Sequence, residues 1–269
     1  MTPNFDLDSY LQRIGWDGDR VADLATLREL LSAHMLAIPF ENFDVLLGRR
    51  IHLDPASLQH KLVGQRRGGY CFEHATLFAA VLEQFGFAPL QHSARVISVT
   101  PRNLAPRSHM FLTVPIGDQR YVVDPGFGGN APRVPVALAD RSDVASDGDT
   151  HRMLRDGGSW VLRHAASGSE TDCWISTLEI DNAVDFEMAN YYTSTHPRST
   201  FVNRLLVSVP TARGRISLMN DEATMREGGH ERRWRIADRV ALRAFAREYC
   251  GFDLPEIEAI VVPSVAAWA

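Results

Sequence analysis

Residues 66–86 read RRGGYCFEHATLFAAVLEQFG, which combines a pair of glycines, a cysteine and a helical pattern. Apolar residues recur with the helical period over 78–85, and Gly86 follows them as at the C-terminal end of a helix. Cys71 is therefore predicted to lie in the first turn of a helix, where the positive end of the helix dipole favours a thiolate. The alternative is a small buried side chain, which is the common environment of a free cysteine.

The composition is that of a globular intracellular protein. The chain has 269 residues, of which 45% are hydrophobic, and a formal net charge of -5. The negative charge argues against nucleic-acid binding, and no run approaches the roughly 18 apolar residues that would cross a bilayer. The three cysteines are far apart, and the N-terminus lacks a basic segment followed by an apolar one. We therefore expect a cytoplasmic protein without disulfides, membrane contact or export.

The pattern of the sequence changes twice along the chain. Helical periods dominate as far as residue 87, and Lys61, the only lysine and therefore the only candidate for Schiff-base chemistry, lies in this part. Short β-rich runs separated by turn residues follow, with an irregular loop predicted over 130–150. Three predicted helices precede the one at Cys71, at 5–14, 23–37 and 55–63. The predicted strands of the middle part are 92–99, 108–116, 119–124, 151–155, 159–165 and 171–177.

A third part begins near residue 198. It is predicted to contain strands at 203–209, 213–218 and 230–236 and a helix at 238–249. The sequence thus predicts an α+β protein with an antiparallel sheet or small barrel in its middle part. The predicted domains are 1–87, which carries the candidate nucleophile, 88–197, which is rich in strands, and 198–269.

Two strands of the middle part are joined by a hairpin that brings a histidine close to an aspartate. Gly117-Asp118 forms a two-residue loop, so residue 116 is expected to pair with residue 119. In that register Asp124 is a diagonal neighbour of His109, at a distance its side chain can bridge. Asp124 would then fix the tautomer of the imidazole and leave one ring nitrogen for a third group. The alternative is a histidine that serves only in packing.

The segment directly after Asp124 is rich in glycine. Residues 125–129 read PGFGG, so backbone N–H groups are accessible and a ligand can come close. The spacing is not that of a phosphate-binding loop or a dinucleotide fingerprint. By composition alone it would be an ordinary turn, and its position beside Asp124 is what makes it a candidate for binding.

Together these segments resemble the arylamine N-acetyltransferase family. The resemblance rests on residues 67–73, on the upstream residues 38–42, and on His109 and Asp124 followed by Gly126-Phe127-Gly128. It implies an α+β fold with a helical N-terminal domain, an antiparallel β-barrel middle domain and an α/β C-terminal lid. It also implies a core like that of cysteine proteases, with a Cys-His-Asp triad between the first two domains.

The resemblance further implies roles for individual residues. Cys71 would be the nucleophile that carries an acetyl group from acetyl-CoA, His109 its base and Asp124 the acid that orients the base. The acceptor would be an arylamine or arylhydrazine, or the oxygen of an N-hydroxyarylamine, and no metal is implied. Glu41 and Arg67 resemble the structural ion pair of the family. The implied acceptor contacts are Phe40, Phe127 and Phe201, and the implied coenzyme contacts are Gly126 and Gly128.

The residues alone leave other functions open. The same order of cysteine, histidine and aspartate would serve a cysteine hydrolase or a transglutaminase-like amidase. A binding protein that has kept the fold and lost turnover is a second alternative. A metal site made from Cys71, His74 and His109 is a third, and it lacks any spacing typical of metal ligands.

Overall fold

The computed structural model describes residues 5–146, 148–166 and 168–268, so the ends of the predicted domains at residues 1 and 269 lie outside it. Eight α-helices are present in this part of the chain. Two short π-helical stretches continue α4 and α8, at Gln59–Gly64 and Ala246–Cys250. The helices are α1 Leu7–Ile14, α2 Leu24–Ala37, α3 Phe43–Leu46, α4 Pro55–Leu58, α5 Cys71–Gln84, α6 Ala183–Thr195, α7 Thr200–Asn203 and α8 Arg239–Phe245.

The N-terminal helices lie near their predicted positions, but α1 begins at Leu7 rather than at residue 5, and the helix predicted over 55–63 is an α-helix only as far as Leu58. Asp6 caps α1 by accepting a hydrogen bond from the Ser9 N–H at 3.0 Å, and Asp23 caps α2 by accepting one from the Thr26 N–H at 2.9 Å. The helix at Cys71 is confirmed. Its first turn is stabilised by Glu73, whose Oε2 accepts the Tyr70 N–H at 3.1 Å.

Two antiparallel sheets account for the strands. The first five strands in the chain are β1 Phe40–Glu41, β2 Leu90–Val96, β3 Arg107–Ile116, β4 Gln119–Val123 and β5 Val136–Ala137. The next four are β6 Ser142–Ser146, β7 Asp149–Asp156, β8 Ser159–Ala166 and β9 Ser169–Ser176. The last four are β10 Leu206–Thr211, β11 Gly214–Met219, β12 Glu222–Glu227 and β13 His230–Arg235.

The larger sheet has eight strands in the order β5-β4-β3-β2-β9-β8-β7-β6. Its edge strands β5 and β6 lie close to each other, so the sheet is a nearly closed barrel. The predicted hairpin register is confirmed, since Ile116 pairs with Gln119 and Leu112 with Val123. Asp124 follows directly after β4 and so lies at the end of the barrel strand next to β3.

The smaller sheet has five strands in the order β1-β10-β11-β12-β13. Its edge strand β1 comes from the N-terminal part of the chain, where Phe40 pairs with Ser208 and Glu41 with Val207. The segment that carries Phe40 is therefore held by the C-terminal sheet. The positions of the domain boundaries, at 87/88 and 197/198, stay a prediction.

Three apolar clusters form the interior. One lies among the N-terminal helices and includes Cys71, another lies between the small sheet and α8, and the third lies inside the barrel and includes Phe111 and Trp174. Phe127 packs against both the helical cluster and the barrel cluster. The glycine-rich segment after Asp124 thus lies where these two clusters meet.

Some predicted elements were wrong, and some observed elements were not predicted. The stretch 130–150, predicted to be an irregular loop, contains β5 and β6. The strand predicted from residue 203 begins at Leu206, because Asn203 ends α7. The helix α6 and the strand β12 were not predicted. Strands β6 and β12 are mostly polar, and α6 carries apolar residues on its exposed side, so their patterns do not follow the buried face.

Candidate active site

Cys71 occupies the first position of α5 and is enclosed by protein. Its side chain is 2% exposed, and its Sγ lies 3.8 Å from the carbonyl oxygen of Ser108. Ser108 directly precedes His109 on β3, and the Cys71 side chain lies close enough to His109 to contribute to raising its pKa. The fold thus brings the candidate nucleophile of the helix to the candidate base of the barrel.

His109 is held by Asp124. The His109 Nε2 and Asp124 Oδ2 atoms are 2.8 Å apart, and the two residues are 2% and 0% exposed. Burial by itself would lower the pKa of His109. The charge and hydrogen bond of Asp124, together with the Cys71 side chain, outweigh burial and raise the pKa of His109 to about 10. Imidazolium is therefore the favoured form at neutral pH.

Asp124 accepts two further hydrogen bonds. The indole Nε1 of Trp174 donates to Oδ2 at 2.9 Å, and the Gly126 N–H donates to Oδ1 at 3.4 Å. The Trp174 ring also stacks on Phe111, with centroids 4.3 Å apart. Phe111 in turn lies nearly parallel to the His109 ring, at an angle of 11°. The buried carboxylate is thus satisfied by donors from three segments, and the imidazole rests on an aromatic stack.

The three phenylalanines expected at the acceptor site lie beside these groups. Phe127 meets the His109 ring edge to face, with centroids 5.0 Å apart. Phe40 and Phe201 contact each other at 6.2 Å, and Phe201 also packs against Tyr70, the residue before Cys71, at 5.3 Å. All three phenylalanines are partly exposed, so they form an aromatic surface next to the buried thiol.

Gly126 packs against the backbone of Cys71, whereas Gly128 lies beside the ring of Phe40. A Cβ atom at Gly126 would lie 2.6 Å from the Cα of Cys71, so only glycine allows the loop to pack this closely against the start of α5. Gly128 adopts a φ of 73°, and a Cβ there would be 3.3 Å from the Phe40 ring. The loop therefore touches both the cysteine and the aromatic surface.

Comparisons with known proteins decide the family. A family model described as N-acetyltransferase matches residues 23–259. The chain is 35% identical over 263 residues to the arylamine N-acetyltransferase of Escherichia coli K12, covering 95% of this chain and 91% of the relative. It is 35% identical to the arylamine N-acetyltransferase / N-hydroxyarylamine O-acetyltransferase of Salmonella typhimurium LT2, covering 83% of this chain and 80% of the relative.

A solved structure agrees with these relatives. The arylamine N-acetyltransferase of Mycobacterium marinum in complex with CoA matches with a TM-score of 0.89 and 30% identity, covering 94% of each chain. The chain belongs to the arylamine N-acetyltransferase family. The resemblance found in the sequence is confirmed, and with it the prediction that the protein is an enzyme that transfers acyl groups.

In this arylamine N-acetyltransferase the start of α5 rests on buried ion pairs. Arg67 Nη2 and Glu41 Oε1 are 2.7 Å apart, so the expected ion pair is present. Lys61 Nζ lies 2.7 Å from Asp44 Oδ2 and 2.7 Å from Glu73 Oε1, the residue that caps α5. Burial alone would lower the pKa of Lys61, and the surrounding carboxylates raise it instead. Its ammonium therefore stays charged, which does not suit Schiff-base chemistry.

Sequence reasoning missed two contributors to this site. Trp174 lies in β9, and nothing in the spacing of the chain links it to Asp124. Lys61 was noted only as the one lysine of the chain. The sequence did contain one indication for Lys61, because it is the only lysine of a chain rich in arginine and it lies just before the motif at Cys71.

The remaining thiols and cavities do not resemble the site at Cys71. Burial raises the pKa of Cys173 to about 12 and also raises the pKa of Cys250. Two surface cavities of about 440 and 480 Å³ lie among the described residues, and the lining of neither includes Cys71.

Within the ranges 5–146, 148–166 and 168–268, no group of three His, Cys, Asp or Glu side chains could hold a metal ion. In the same ranges no helix has the length and apolar character needed to cross a membrane.

Proposed function

We propose that this arylamine N-acetyltransferase transfers acetyl groups by a ping-pong reaction through a thioester on Cys71. The thiolate of Cys71 attacks the carbonyl carbon of acetyl-CoA, the bond to the coenzyme sulfur breaks, and the His109 imidazolium gives its proton to the leaving thiolate. An arylamine then attacks the acetyl-cysteine, its nitrogen loses a proton to the neutral His109, and the bond to the Cys71 sulfur breaks. The thiolate and the imidazolium are restored.

The single observation that carries this proposal is the continuous series of contacts from Cys71 through His109 to Asp124. Asp124 engages Nε2 of the imidazole at 2.8 Å, so Nδ1 remains for Cys71. The raised pKa of His109 supports an imidazolium beside the thiol before the reaction starts. The first N–H groups of α5 have no partner within the helix, and we infer that those of Cys71 or Phe72 stabilise the oxyanion.

The aromatic surface favours an aromatic acceptor. Phe127 packs against His109, so a ring that stacks on Phe127 brings its amine close to the base. Phe40 and Phe201 would complete the contact on the side of Tyr70. Arylamines and arylhydrazines are weak bases that stay neutral near pH 7, and only the neutral nitrogen attacks. The name of the Salmonella relative adds O-acetylation, and we propose N-hydroxyarylamines as further acceptors, with a role in xenobiotic metabolism.

Coenzyme A would bind beside the glycine-rich loop. The solved Mycobacterium marinum relative is a complex with CoA, which supports acetyl-CoA as the donor here. Gly126 packs against the backbone of Cys71, and we propose that Gly126 and Gly128 let the thioester of the donor approach the thiol. A donor of this kind is available in the cytoplasm, which is the compartment that we propose.

Replacing the nucleophile tests the proposal directly. Cys71→Ala is expected to lower the rate of acetyl-CoA-dependent acetylation of an arylhydrazine by at least about 1,000-fold, since no thioester forms. Cys173→Ala is the matched control, because Cys173 is also buried and is expected to keep near-normal activity. Acetylation by Cys71→Ala at a rate close to that of the unmodified protein would contradict the proposal. Hydrolysis of acetyl-CoA without transfer would instead favour a hydrolase.

A further inference from the structure

A chain of buried hydrogen bonds crosses the helical part of the molecule behind α5. The Tyr10 Oη lies 2.8 Å from His34 Nδ1, and His34 Nε2 lies 2.8 Å from His74 Nδ1. The chain ends where His74 Nε2 meets the carbonyl oxygen of Pro39 at 3.2 Å. The three side chains are 0%, 0% and 1% exposed, and they come from α1, α2 and α5.

The direction of every hydrogen bond in this chain is determined by its last acceptor. The Pro39 carbonyl can only accept, so His74 donates from Nε2 and accepts at Nδ1 when it is neutral. His34 must then donate from Nε2, and Tyr10 donates to His34 Nδ1. Burial lowers the pKa of His34, and burial also lowers the pKa of His74 to about 4, so both rings are neutral near pH 7. The chain is therefore a fixed, uncharged structure.

The end of this chain lies at Phe40. The carbonyl of Pro39 also accepts the Gly69 N–H at 3.2 Å, and the Glu41 N–H donates to the Gly69 carbonyl at 2.8 Å. These bonds hold the segment of Phe40 alongside the glycine pair that precedes Cys71. The Phe40 ring itself lies nearly parallel to the His74 ring, at 17° and with centroids 6.4 Å apart. His74 thus fixes both the backbone before Phe40 and the face of its ring.

We propose that His74, oriented by His34 and Tyr10, is a positioning residue that sets the place of Phe40 and thereby the affinity for the aromatic acceptor. This inference rests on the proposed function, in which Phe40 contacts the acceptor ring. His74 is buried behind the partly exposed Phe40, and it has no part in the proposed proton transfers of His109. Its loss is therefore expected to affect the second half-reaction and to spare the acetylation of Cys71.

The two half-reactions can be measured separately. His74→Leu removes both the N–H that donates to the Pro39 carbonyl and the flat ring. His74→Gln removes the ring but keeps an N–H donor in place of Nε2. For His74→Leu we expect the arylhydrazine concentration that half-saturates discharge of acetyl-Cys71 to rise about tenfold, the effect of one lost hydrogen bond in a buried network. The rate of Cys71 acetylation by acetyl-CoA should change less than about twofold. His74→Gln should restore most of the acceptor affinity.

A second variant and a control accompany this test. Tyr10→Phe removes only the first donor of the chain at constant volume, and it should raise the half-saturating concentration about twofold to threefold. His164→Leu is the control, because His164 is a buried histidine that hydrogen-bonds to Asp149 in the barrel. It should leave acceptor affinity unchanged.

The outcomes separate this inference from the proposed function. An unchanged half-saturating concentration in both His74→Leu and Tyr10→Phe would overturn it, and so would an equal loss in both half-reactions, which indicates a general structural defect. Failure of the unmodified protein to take up an acetyl group from acetyl-CoA would contradict the proposed function itself. A rise confined to the discharge step, with recovery in His74→Gln, would establish the positioning role.

Discussion

At the scale of single residues, the protonation state of His109, the proposed base, depends on how Asp124 is held. His109 and Trp174 both donate to the same carboxylate oxygen, at 2.8 and 2.9 Å. A buried carboxylate that loses a donor keeps its desolvation cost without compensation, and such a loss typically costs about 1–3 kcal/mol. The indole N–H is therefore part of what orients His109, although it touches neither the sulfur nor any substrate.

The variant Trp174→Phe tests this role. Phenylalanine keeps an aromatic ring against Phe111 and removes only the N–H, so we expect a loss of about 1–3 kcal/mol in the free energy of unfolding. We also expect a fall of about tenfold in kcat/KM for acetyl transfer. Urea unfolding and steady-state kinetics measure the two effects. Trp160→Phe, a change in the same apolar cluster, is the control, and equal behaviour of the two variants would contradict the assignment.

The placement of these residues was predictable only where local rules determine it. Cys71 follows from a helix start, and the closeness of His109 to Asp124 follows from the register of a two-residue hairpin. Trp174 reaches Asp124 because β9 lies beside β2 in the barrel, a pairing between segments about 80 residues apart that no local pattern reveals.

At the scale of elements, the first turn of α5 depends on buried charges. Lys61 Nζ lies 2.7 Å from a carboxylate oxygen of Asp44 and 2.7 Å from one of Glu73. Arg67 Nη2 lies 2.7 Å from Glu41 Oε1 and 3.3 Å from Asp44 Oδ1. Removing one partner from such a network leaves an uncompensated buried charge, which typically costs about 3–5 kcal/mol. The position of Cys71 therefore depends on a π-helical segment and on α3, neither of which touches the sulfur.

Lys61→Met is expected to be strongly destabilising. Methionine fills a similar volume but leaves Glu73 without its cation and Asp44 with only its arginine partners, so the free energy of unfolding should fall by about 3–5 kcal/mol. Urea unfolding followed by circular dichroism measures this change. Lys61→Arg keeps the positive charge and is the matched control, with a smaller expected loss. A loss below about 1 kcal/mol for Lys61→Met would show that the network contributes little.

The elements that the sequence did not reveal share a physical reason. The edge strand β6 is short and polar, so it alternates weakly and is defined by its pairing with β7. Helix α6 exposes Val184, Met188 and Tyr191 while it buries Phe186, which hides its helical period. Where apolar residues lie on both sides of an element, periodicity does not identify the buried face.

At the scale of the whole molecule, buried histidines link stability to pH. Burial lowers the pKa of His34 and His92, and it lowers the pKa of His74 and His151 to about 4. In the unfolded chain a histidine has a pKa near 6.5. For each of these four histidines, the contribution to stability is complete above about pH 6.5 and decreases as the pH falls below that value, because the unfolded chain takes up the proton more readily than the folded protein. His109 has the opposite sign, because its raised pKa adds stability below 6.5 that is lost as the pH rises through about 10.

Stability is therefore expected to be greatest near pH 6.5. Below that value the free energy of unfolding should fall by up to about 1.4 kcal/mol per pH unit for each histidine that takes up a proton on unfolding. Urea titrations at pH 4.5, 6.5 and 9 check this. A double variant with His34→Gln and His151→Gln should show a smaller decrease between pH 6.5 and 4.5. Equal stability of the unmodified protein at these two values would contradict the expectation.

The family could be predicted from the sequence, whereas the contacts between distant segments of the chain could not. The motif at Cys71 and the residues around His109 and Asp124 were sufficient for the resemblance. The pairing of β1 with β10, which holds Phe40 against the C-terminal sheet, joins residues about 165 positions apart. Contacts of this kind depend on the complete fold, and the proposed acceptor surface is built from them.

The central claim is that Cys71 carries the acetyl group, and intact mass spectrometry tests it most directly. The protein is mixed with acetyl-CoA alone, its mass is measured, and the measurement is repeated after an arylhydrazine is added. We predict a gain of one acetyl group that maps to Cys71 and is lost to the hydrazine. Absence of the adduct, under conditions in which a thiol reagent still labels Cys71, would contradict the account.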